Sequence, residues 1–289
     1  MLKKNRKEIT EGLRERISKG KLLVGMGTGI STAAKLCDKS GVDLLTLYHS
    51  GGLHRAGRSS LSGLLSYDDA NAIVQELGDE ILPGIKKTPL LAGVCGTDPF
   101  RVMEMFLGQL KEQGFNGVQN FPTVGVVDGR FRANLEETNM GYRMEVDMIR
   151  QAHELDLFTC PYVFDPEQGE AMTEAGADLL VIHLGLVTKL AMKNGTAPTL
   201  EDCCGKIRNI LEKSRAVRQD VMAICYGKQI MDPEDAAYLL RKIPQVSGFF
   251  SIFPAKREDS ERSMAARVKE YKGLDKVKSL ALRKMGAHK

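Results

Sequence analysis

Short apolar runs alternate with amphipathic helical patterns along most of this 289-residue chain. Such an alternation is typical of strand–helix units, which build parallel β-sheets covered by helices. Eight of the apolar runs qualify as strands, and a helical pattern follows each of them. The predicted strands are Lys21–Met26, Asp43–Tyr48, Pro89–Val94, Gly117–Asn120, Phe158–Val163, Asp178–His183, Val221–Cys225 and Gly248–Ile252.

Three of the intervening helices carry a clear start signal. Asp98-Pro99, Asp165-Pro166 and Asp232-Pro233 each place a capping aspartate before a proline. Proline is favoured at the first helical position, because the amide that it lacks has no partner there in any case. These pairs predict helices that begin directly behind the third, fifth and seventh strands.

Eight uniform units predict an α/β fold that closes into a (β/α)₈ TIM barrel. An open doubly wound sheet is the alternative, but it needs a reversal of strand order that the sequence does not show. Apolar residues at helical spacing near the start predict an extra helix over residues 1–20 that packs on the barrel. The barrel is then expected over residues 21–272 and a basic helical tail over residues 273–289.

The basic residues are concentrated at the end of the chain. From Ala255 to Lys289 there are 11 Lys/Arg against 5 Asp/Glu, whereas the remainder has 30 against 32. A basic tail can attract nucleic acid or an anionic membrane, and a solvated final helix explains the same charges. Tyr271 is the only phenylalanine, tyrosine or tryptophan among these charged residues, so stacking on nucleic-acid bases is poorly supported. Nucleic acid is therefore not an expected partner.

The six cysteines lie at positions 37, 95, 160, 203, 204 and 225, without a Cys-x-x-Cys pair. This spacing does not fit a zinc site, so we expect free thiols in a reducing cytoplasm. The longest apolar stretch is shorter than the roughly 18 residues that cross a bilayer, so no membrane partner is expected.

A barrel of this kind carries its active site at the carboxyl ends of its strands. That rule selects polar and glycine residues that lie at the end of a predicted strand or shortly after it. The catalytic candidates are Cys95, Asp98, Asn120 and His183. The substrate-binding candidates are Gly29, Ser31, His49, Ser50, Gly51, Arg55, Arg58, Thr97, Tyr162, Gly227 and Lys228.

Each binding candidate has a functional and a structural interpretation. The glycine-rich run that ends at Ser31 can hold an anion with its backbone amides, or it is a tight turn capped by Ser31. Arg55 and Arg58 can clamp a carboxylate or phosphate with paired hydrogen bonds, or they tie a surface loop to neighbouring acids.

The catalytic candidates are open in the same way. Asp98 suits a metal ligand or a general base, although helix capping alone explains it, and Asn120 suits the orientation of a carbonyl oxygen. His183 suits an acid or base near neutral pH, or it is a buried imidazole bonded to a carbonyl. Cys95 is a nucleophile or a small buried apolar side chain. We expect His49, Asp98, Asn120 and His183 to face one shared cavity.

Longer motifs point to a family. The runs Ala92–Phe100 (AGVCGTDPF), Gly117–Gly125 (GVQNFPTVG), Asn134–Thr138 (NLEET) and Pro161–Phe164 (PYVF) are among those that carry the similarity. With them, the stretch from Lys21 to Arg257 resembles the phosphoenolpyruvate hydrolase-like family of TIM barrels. The same barrel is similar to the C-terminal barrel of a plant virus-resistance protein.

This resemblance implies an enzyme that hydrolyses or cleaves a small phosphorylated or phosphonylated 2-oxoacid, or a related anionic carbonyl compound. We expect Mg²⁺ or another divalent cation with Asp98 as a ligand, a small anionic substrate, and a homo-oligomer. One alternative is a catalytically decayed barrel that binds a small anion or acts as a scaffold. The other is a flavin-dependent oxidoreductase with FMN.

The chain departs from the family pattern at several loops. His49 stands where the pattern has asparagine, and Gly52 and His54 stand where it has arginine. The loops after the seventh and eighth predicted strands read Tyr226–Ile230 (YGKQI) and Ser251–Pro254 (SIFP), in place of glycine-rich turns. These loops commonly bind phosphate in TIM barrels. Bulky side chains there predict a reshaped or lost phosphate pocket.

Overall fold

The computed structural model describes residues 4–58, 60–187, 189–230, 232–252 and 261–286. Over these residues the chain forms a single parallel sheet of nine strands, surrounded by helices. The strands are β1 (Leu23–Thr28), β2 (Leu44–Leu47), β3 (Leu90–Val94), β4 (Gly117–Asn120), β5 (Phe158–Thr159), β6 (Tyr162–Val163), β7 (Leu179–His183), β8 (Met222–Tyr226) and β9 (Gly248–Ile252).

The sheet closes on itself as a barrel. Its strand order is β5-β4-β3-β2-β1-β9-β8-β7-β6, so the two ends of the order are β5 and β6. These two strands are consecutive parts of one extended segment, interrupted by Cys160 and Pro161. Pro161 has no amide hydrogen to donate to the ladder, but its carbonyl accepts a bond of 2.8 Å from the Val181 amide. With β5 and β6 counted as one interrupted strand, the barrel has eight strands, and the predicted (β/α)₈ barrel is confirmed.

The strands are buried on both faces, as expected when side chains fill the barrel and helices cover it. Every residue from β1 to β7 is buried. Polar side chains inside the barrel pair with one another: Tyr48 donates to Gln119, and the Tyr48 and Tyr162 hydroxyl oxygens lie 2.9 Å apart. Such pairing removes the penalty of burying a polar group without a partner.

Helices surround the sheet. They are α1 (Arg6–Ser18), α2 (Ser31–Ser40), α3 (Gly51–Arg55), α4 (Ala70–Ile81), α5 (Met103–Gln113), α6 (Gly129–Glu137), α7 (Tyr142–Glu154), α8 (Pro166–Glu174), α9 (Lys189–Lys193), α10 (Leu200–Val217), α11 (Pro233–Lys242), α12 (Glu261–Gly273) and α13 (Asp275–Gly286). Short 3₁₀ turns occupy Ser60–Leu64, Leu82–Gly84 and Val124–Val126. Within the described part of the chain, none of the helices has the length and apolar character that a membrane crossing requires.

Two of the three predicted aspartate caps are confirmed. Asp165 accepts from the Gln168 amide and Asp232 from the Asp235 amide. The prediction at Asp98 was wrong, because α5 begins only at Met103. The alternative role of Ser31 as a cap was also wrong, since this residue is the first of α2 and the N-cap before it makes no side-chain bond.

The first and last helices pack at the amino-terminal end of the barrel, here called the base. Arg6 of α1 forms an ion pair of 2.9 Å with Asp178, next to the start of β7. Asp275 of α13 accepts a bond of 2.8 Å from the amide of Leu22, next to the start of β1. Residues of the predicted basic tail thus pack on the barrel, with Lys278 and Ala281 buried.

Candidate functional site

The carboxyl ends of the strands, here called the mouth, enclose a cavity of about 40 Å³. Apolar and aromatic side chains make most of its wall, and no carboxylate, lysine or arginine is among the described residues that line it. They are Leu61, Leu64, Phe121, Thr123, Val126, Tyr162, His183, Leu186, Tyr226 and Ile252. We call this space the mouth cavity. Two of the predicted site residues, Tyr162 and His183, line it.

His183 is the last residue of β7 and is 5% exposed. The Gly185 amide donates to its Nδ1 over 2.9 Å, so Nδ1 is an acceptor and a neutral ring carries its hydrogen on Nε2. Burial, together with the charge of Lys206, lowers the pKa of His183 to about 3. The imidazole is therefore a neutral hydrogen-bond donor at pH 7. The predicted role as an acid or base near neutral pH does not fit this environment.

Aromatic rings fix the orientation of His183. Phe164 stacks on the imidazole with a centroid distance of 4.7 Å, and Tyr226 meets it edge-on at 4.8 Å. Tyr162 approaches from the barrel interior at 5.4 Å. Because the ring is held by packing on three sides and by the Gly185 amide, it is preorganised as a donor.

A buried carboxyl, Glu145, lies behind the loop that follows β4. Its oxygens accept from Asn120 Nδ2 at 2.6 Å, Thr123 Oγ1 at 2.6 Å and the Val124 amide at 2.7 Å. Burial raises the pKa of Glu145 to about 7, although these bonds and the charge of Arg132 oppose the shift. The carboxyl therefore titrates near neutral pH, where a proton acceptor is most useful.

Thr123 connects this carboxyl to the mouth cavity. Its hydroxyl donates to Glu145, accepts from the Gly125 amide at 3.0 Å, and lines the cavity wall. A hydroxyl in this position can pass a proton between a bound molecule and the carboxyl, because it both donates and accepts. Glu145 was missed in the sequence, since it lies within a helical pattern rather than after a strand.

Asn120 has a different task from the one predicted. Its Oδ1 accepts from the Tyr162 amide at 2.7 Å, and its Nδ2 donates to Glu145 and, at 3.3 Å, to the Tyr162 carbonyl. With the side chain fully buried and its groups engaged in these bonds, Asn120 holds the β4 loop against β6. The orientation of a substrate carbonyl by Asn120 is not compatible with this arrangement.

Asp98 belongs to a separate polar cluster. It accepts from Asn71 at 2.8 Å, from Arg101 at 2.5 Å and from the Phe100 amide at 2.9 Å. Burial raises its pKa, but these three bonds outweigh that effect and the pKa of Asp98 is lowered. A carboxylate with a lowered pKa and a guanidinium partner is a poor general base, so that predicted role is not supported.

The same cluster tests the predicted divalent cation. Mg²⁺ is bound through carboxylates with free oxygen lone pairs, whereas Arg101 already neutralises Asp98 and also pairs with Asp69 at 2.8 Å. Across the described residues, no group of three or more His, Cys, Asp or Glu side chains is arranged to hold a metal ion. The residues around Asp98 therefore do not fit a magnesium site.

His49 contacts the turn Ser60–Leu64, which lies over the mouth and is here called the cover. Its Nε2 lies 2.9 Å from the carbonyl oxygen of Gly63, in the 3₁₀ turn Ser60–Leu64 that contributes Leu61 and Leu64 to the cavity wall. Ser50 is buried next to it, and a Cβ on Gly63 would lie only 3.0 Å from Ser50. These two predicted binding residues therefore fix the turn that covers the mouth.

Gly29 and Gly51 are required for packing. A Cβ on Gly29 would lie 2.0 Å from the Tyr48 carbonyl, and a Cβ on Gly51 would lie 2.0 Å from the Gly29 carbonyl. The loops after β1 and β2 thus approach each other with backbone in contact. This supports the tight-turn interpretation of the glycine-rich run rather than an open anion cradle. Gly227 is similar, because a Cβ there would lie 2.7 Å from Leu184.

The remaining candidates lie on the rim. Cys95 Sγ is 3.6 Å from Thr97 Oγ1, and burial raises the pKa of the Cys95 thiol, so it stays protonated at neutral pH and is a weak nucleophile. Arg58 and Lys228 are exposed. Arg55 ends α3, but its side chain lies outside the described residues, as does the loop segment from Phe253 onward.

The four residues that we expected in one shared cavity are distributed over neighbouring sites. His183 lines the cavity, His49 holds its cover, Asn120 braces the β4 loop, and Asp98 lies in the cluster with Arg101. All four lie at or shortly after the carboxyl ends of strands, as the rule for the fold selected them. It could not assign their individual tasks.

A family model and two plant relatives each match most of this chain. The family model described as phosphoenolpyruvate hydrolase-like matches residues 8–274. Two proteins of Solanum lycopersicum, the ToMV susceptible protein tm-1(GCR26) and the ToMV resistance protein Tm-1(GCR237), are each 47% identical over 266 residues, which is 92% of this chain. The chain spans about a third of the length of these relatives, 35% in both cases.

Among solved structures, phosphonopyruvate hydrolase in complex with oxalate and Mg²⁺ has a similar fold. The TM-score is 0.54 at 15% sequence identity, with 91% of this chain and 84% of that chain covered. At this level of identity the similarity concerns the fold alone.

Proposed function

The chain belongs to the phosphoenolpyruvate hydrolase-like family, and on that premise we propose that its mouth binds and cleaves a small anionic carbonyl compound, in the class of phosphorylated or phosphonylated 2-oxoacids. The observation that carries the proposal is His183, a buried neutral imidazole with its hydrogen on Nε2, in the wall of a cavity at the carboxyl ends of the strands. Ligand sites of TIM barrels lie at this end.

In the proposed reaction the substrate carbonyl oxygen accepts a hydrogen bond from His183 Nε2. Bond cleavage next to a carbonyl places negative charge on that oxygen, and a fixed donor in a site shielded from water stabilises it. A neutral imidazole suits this task because it donates a hydrogen bond without first having to lose a charge. For phosphonopyruvate, water takes the phosphonyl group as the C–P bond breaks, and the electron pair of that bond forms the enolate. Glu145, acting through Thr123, carries the proton released by water to the enolate carbon, which gives phosphate and pyruvate.

The size of the cavity defines how the substrate enters. About 40 Å³ is far below the roughly 300–1,000 Å³ of ordinary ligand pockets. The carbonyl end of a small compound is therefore the part that reaches His183, and the anionic group stays at the rim near the exposed Arg58 and Lys228. The ring system of FMN is too large for this volume, so the proposed reaction does not use a flavin.

A divalent cation has no role in the proposed step. The phosphonopyruvate hydrolase neighbour was crystallised with Mg²⁺, but in this chain Asp98 is paired with Arg101. The assay below is therefore run with and without Mg²⁺, and we expect the same turnover in both.

The test is turnover of phosphonopyruvate, phosphoenolpyruvate and oxaloacetate by the full chain, followed by ³¹P NMR and by release of pyruvate. His183→Phe keeps a ring against Phe164 but removes the donor, so we expect kcat to fall about 100-fold or more with little change in KM. His153→Phe, in α7 and outside the mouth cavity, is the matched control. Full turnover by folded His183→Phe would contradict the proposal.

A second candidate function is a binding or scaffold module without turnover. The observation that favours it is the cover of the mouth, where Leu61 and Leu64 reduce the cavity to its small volume. It predicts that 2-oxoacids raise the melting temperature of the chain but leave no product in the assay above. Product formation that depends on His183 excludes this alternative.

A further inference from the structure

A second cavity lies at the base of the barrel, opposite the mouth. Its volume is about 400 Å³, and its walls come from α1, the end of α10, the starts of β8 and β9, and α13. The residues that line it are Arg14, Ile17, Ser18, Arg215, Gln219, Asp220, Val221, Met222, Pro244, Gln245, Ser247, Lys278 and Leu282. We call it the base cavity.

Two nitrogens of cationic side chains in this wall, Lys278 Nζ and Arg215 Nε, have no hydrogen-bond partner within the described part of the chain. Lys278 is only 2% exposed, and its Nζ is unsatisfied. The Nε of Arg215 is also buried and unsatisfied, while its Nη2 makes only a long contact of 3.5 Å with the Gln245 carbonyl. Burial lowers the pKa of Lys278 to about 8, against the opposing effect of Asp275. The ammonium group is still mainly charged at neutral pH.

The neighbouring acids are engaged elsewhere. Asp220 lines the cavity, but it pairs with Arg14 at 2.5 Å and lies 3.7 Å from Arg218. Asp275, one turn before Lys278 in α13, accepts the Leu22 amide at 2.8 Å. Among the described residues that line the cavity, three cationic side chains therefore stand against one carboxylate that already has partners. The wall has an unmatched positive charge.

Burying an ammonium group without a partner is strongly unfavourable. An anion that enters the cavity would supply the missing acceptor for Lys278 and Arg215. Most of the remaining wall surface is apolar, with Ile17, Met222 and Leu282 among its members, although Ser18, Gln219, Gln245 and Ser247 also line it. We propose that the base cavity is a binding site for a small carboxylate that carries an apolar body, held by Lys278 Nζ and Arg215 Nε.

The chemistry of the wall favours a monocarboxylate over inorganic phosphate. Lys278 Nζ and Arg215 Nε are two unsatisfied donors, which the two oxygens of a carboxylate can accept, whereas a phosphate carries more oxygens and a larger charge than two donors satisfy. The volume lies within the range of ordinary ligand pockets, so a chain or ring of a few carbon atoms fits beside the charge.

Isothermal titration of the full chain at pH 7 with hexanoate, and separately with inorganic phosphate, tests this site. We expect one hexanoate per chain and weaker binding of phosphate. Charge-assisted hydrogen bonds contribute about 1.5–3 kcal/mol, so Lys278→Met and Arg215→Gln should each weaken hexanoate binding by about tenfold or more. Lys276→Met changes an exposed lysine of the same helix and should leave the affinity unchanged.

Circular dichroism establishes that each variant is folded, and two independent variants guard against the failure of one. The proposal is overturned if wild-type protein does not bind hexanoate, or if both Lys278→Met and Arg215→Gln bind it as tightly as wild type. Phosphate binding as tight as that of hexanoate would contradict the assigned ligand class.

Discussion

The two ends of the barrel differ in how their buried polar groups are hydrogen-bonded. At the mouth, Glu145 accepts three hydrogen bonds and His183 is a neutral ring, next to a cavity of about 40 Å³. At the base, Lys278 and Arg215 face a cavity of about 400 Å³ with donors that the described residues leave unsatisfied. The buried carboxyl at the mouth thus has its partners within the protein, whereas Lys278 Nζ and Arg215 Nε at the base have none among the described residues.

The rule that TIM barrels carry their sites at the carboxyl ends of the strands therefore does not locate every candidate site in this protein. The carboxyl ends of the strands are where TIM barrels carry their chemistry, and the proposed reaction lies there. Unsatisfied charge is a separate and local signal of binding, because the fold class does not dictate it. Substitutions at Glu145, Lys278, His49 and Lys228 distinguish the two ends, and we expect their effects to decrease in that order.

Glu145→Ala should have the largest effect, because it leaves two donors of the β4 loop, Thr123 Oγ1 and the Val124 amide, without an acceptor and removes the shorter of the two bonds of Asn120 Nδ2. Each such donor is unfavourable by about 1–3 kcal/mol, so we expect the free energy of unfolding to fall by about 4 kcal/mol. Urea unfolding measures it. Glu154→Ala, at an exposed position of the same helix, is the control. An equal and small change in both variants would show that the network does not stabilise the mouth.

Lys278→Met should stabilise the protein. One pKa unit corresponds to about 1.4 kcal/mol, so the shift from 10.5 to about 8 corresponds to a gain of about 3 kcal/mol at pH 7. Between these two pKa values the unfolded chain binds more protons than the folded one, so the stability of wild type rises with pH.

The advantage of Lys278→Met should therefore shrink from pH 8 upward and vanish above about pH 11. Denaturant unfolding at pH 7, 9 and 10.5 follows this trend, with Lys276→Met as a control that stays close to wild type. A wild-type protein as stable as Lys278→Met at pH 7 would mean that the ammonium group has a partner, and the contrast between the ends would fail.

His49→Phe should loosen the cover of the mouth. It preserves a ring near Phe121 but loses the bond to the Gly63 carbonyl, which corresponds to about 1 kcal/mol. We expect faster amide hydrogen exchange in the turn Ser60–Leu64, with exchange in α13 unchanged. Unaltered exchange in that turn would show that His49 does not hold it.

Lys228→Met should have the smallest effect on stability, within about 0.5 kcal/mol, since the side chain is exposed. If the anionic group of the substrate stays at the rim, KM for a 2-oxoacid should rise a few-fold while kcat is retained. Lys193→Met, another exposed lysine, should leave both constants unchanged. A loss of kcat in Lys228→Met would place this residue at the reacting atoms instead.

Most of the fold could be predicted because barrel strands are short, apolar and buried on both faces. The predicted bounds of Gly117–Asn120 and Gly248–Ile252 are those of β4 and β9. The fifth predicted strand is split, because Pro161 interrupts the ladder, and this proline was visible in the sequence. The predicted helix start at Asp98 was wrong, because its carboxylate binds Asn71, from a distant segment, and Arg101 of the same loop, and α5 begins only at Met103.

The candidate site could be predicted less well, because the role of each of its residues depends on contacts between segments that are distant in sequence. Glu145 lies on the buried face of α7 together with Val146 and Ile149. A carboxylate on an apolar helix face was the signal that could have identified it. That His183 is neutral depends on Gly185 and the surrounding rings, and no spacing rule predicts a pKa.

The most direct test of the account is the ¹⁵N NMR spectrum of the His183 imidazole between pH 5 and pH 8, assigned by comparison with His183→Phe. The account predicts one neutral tautomer, with hydrogen on Nε2 and no titration in this range, and a shift of the Nε2 signal when a 2-oxoacid binds. A ring that titrates near pH 6.5, or that carries its hydrogen on Nδ1, would contradict it.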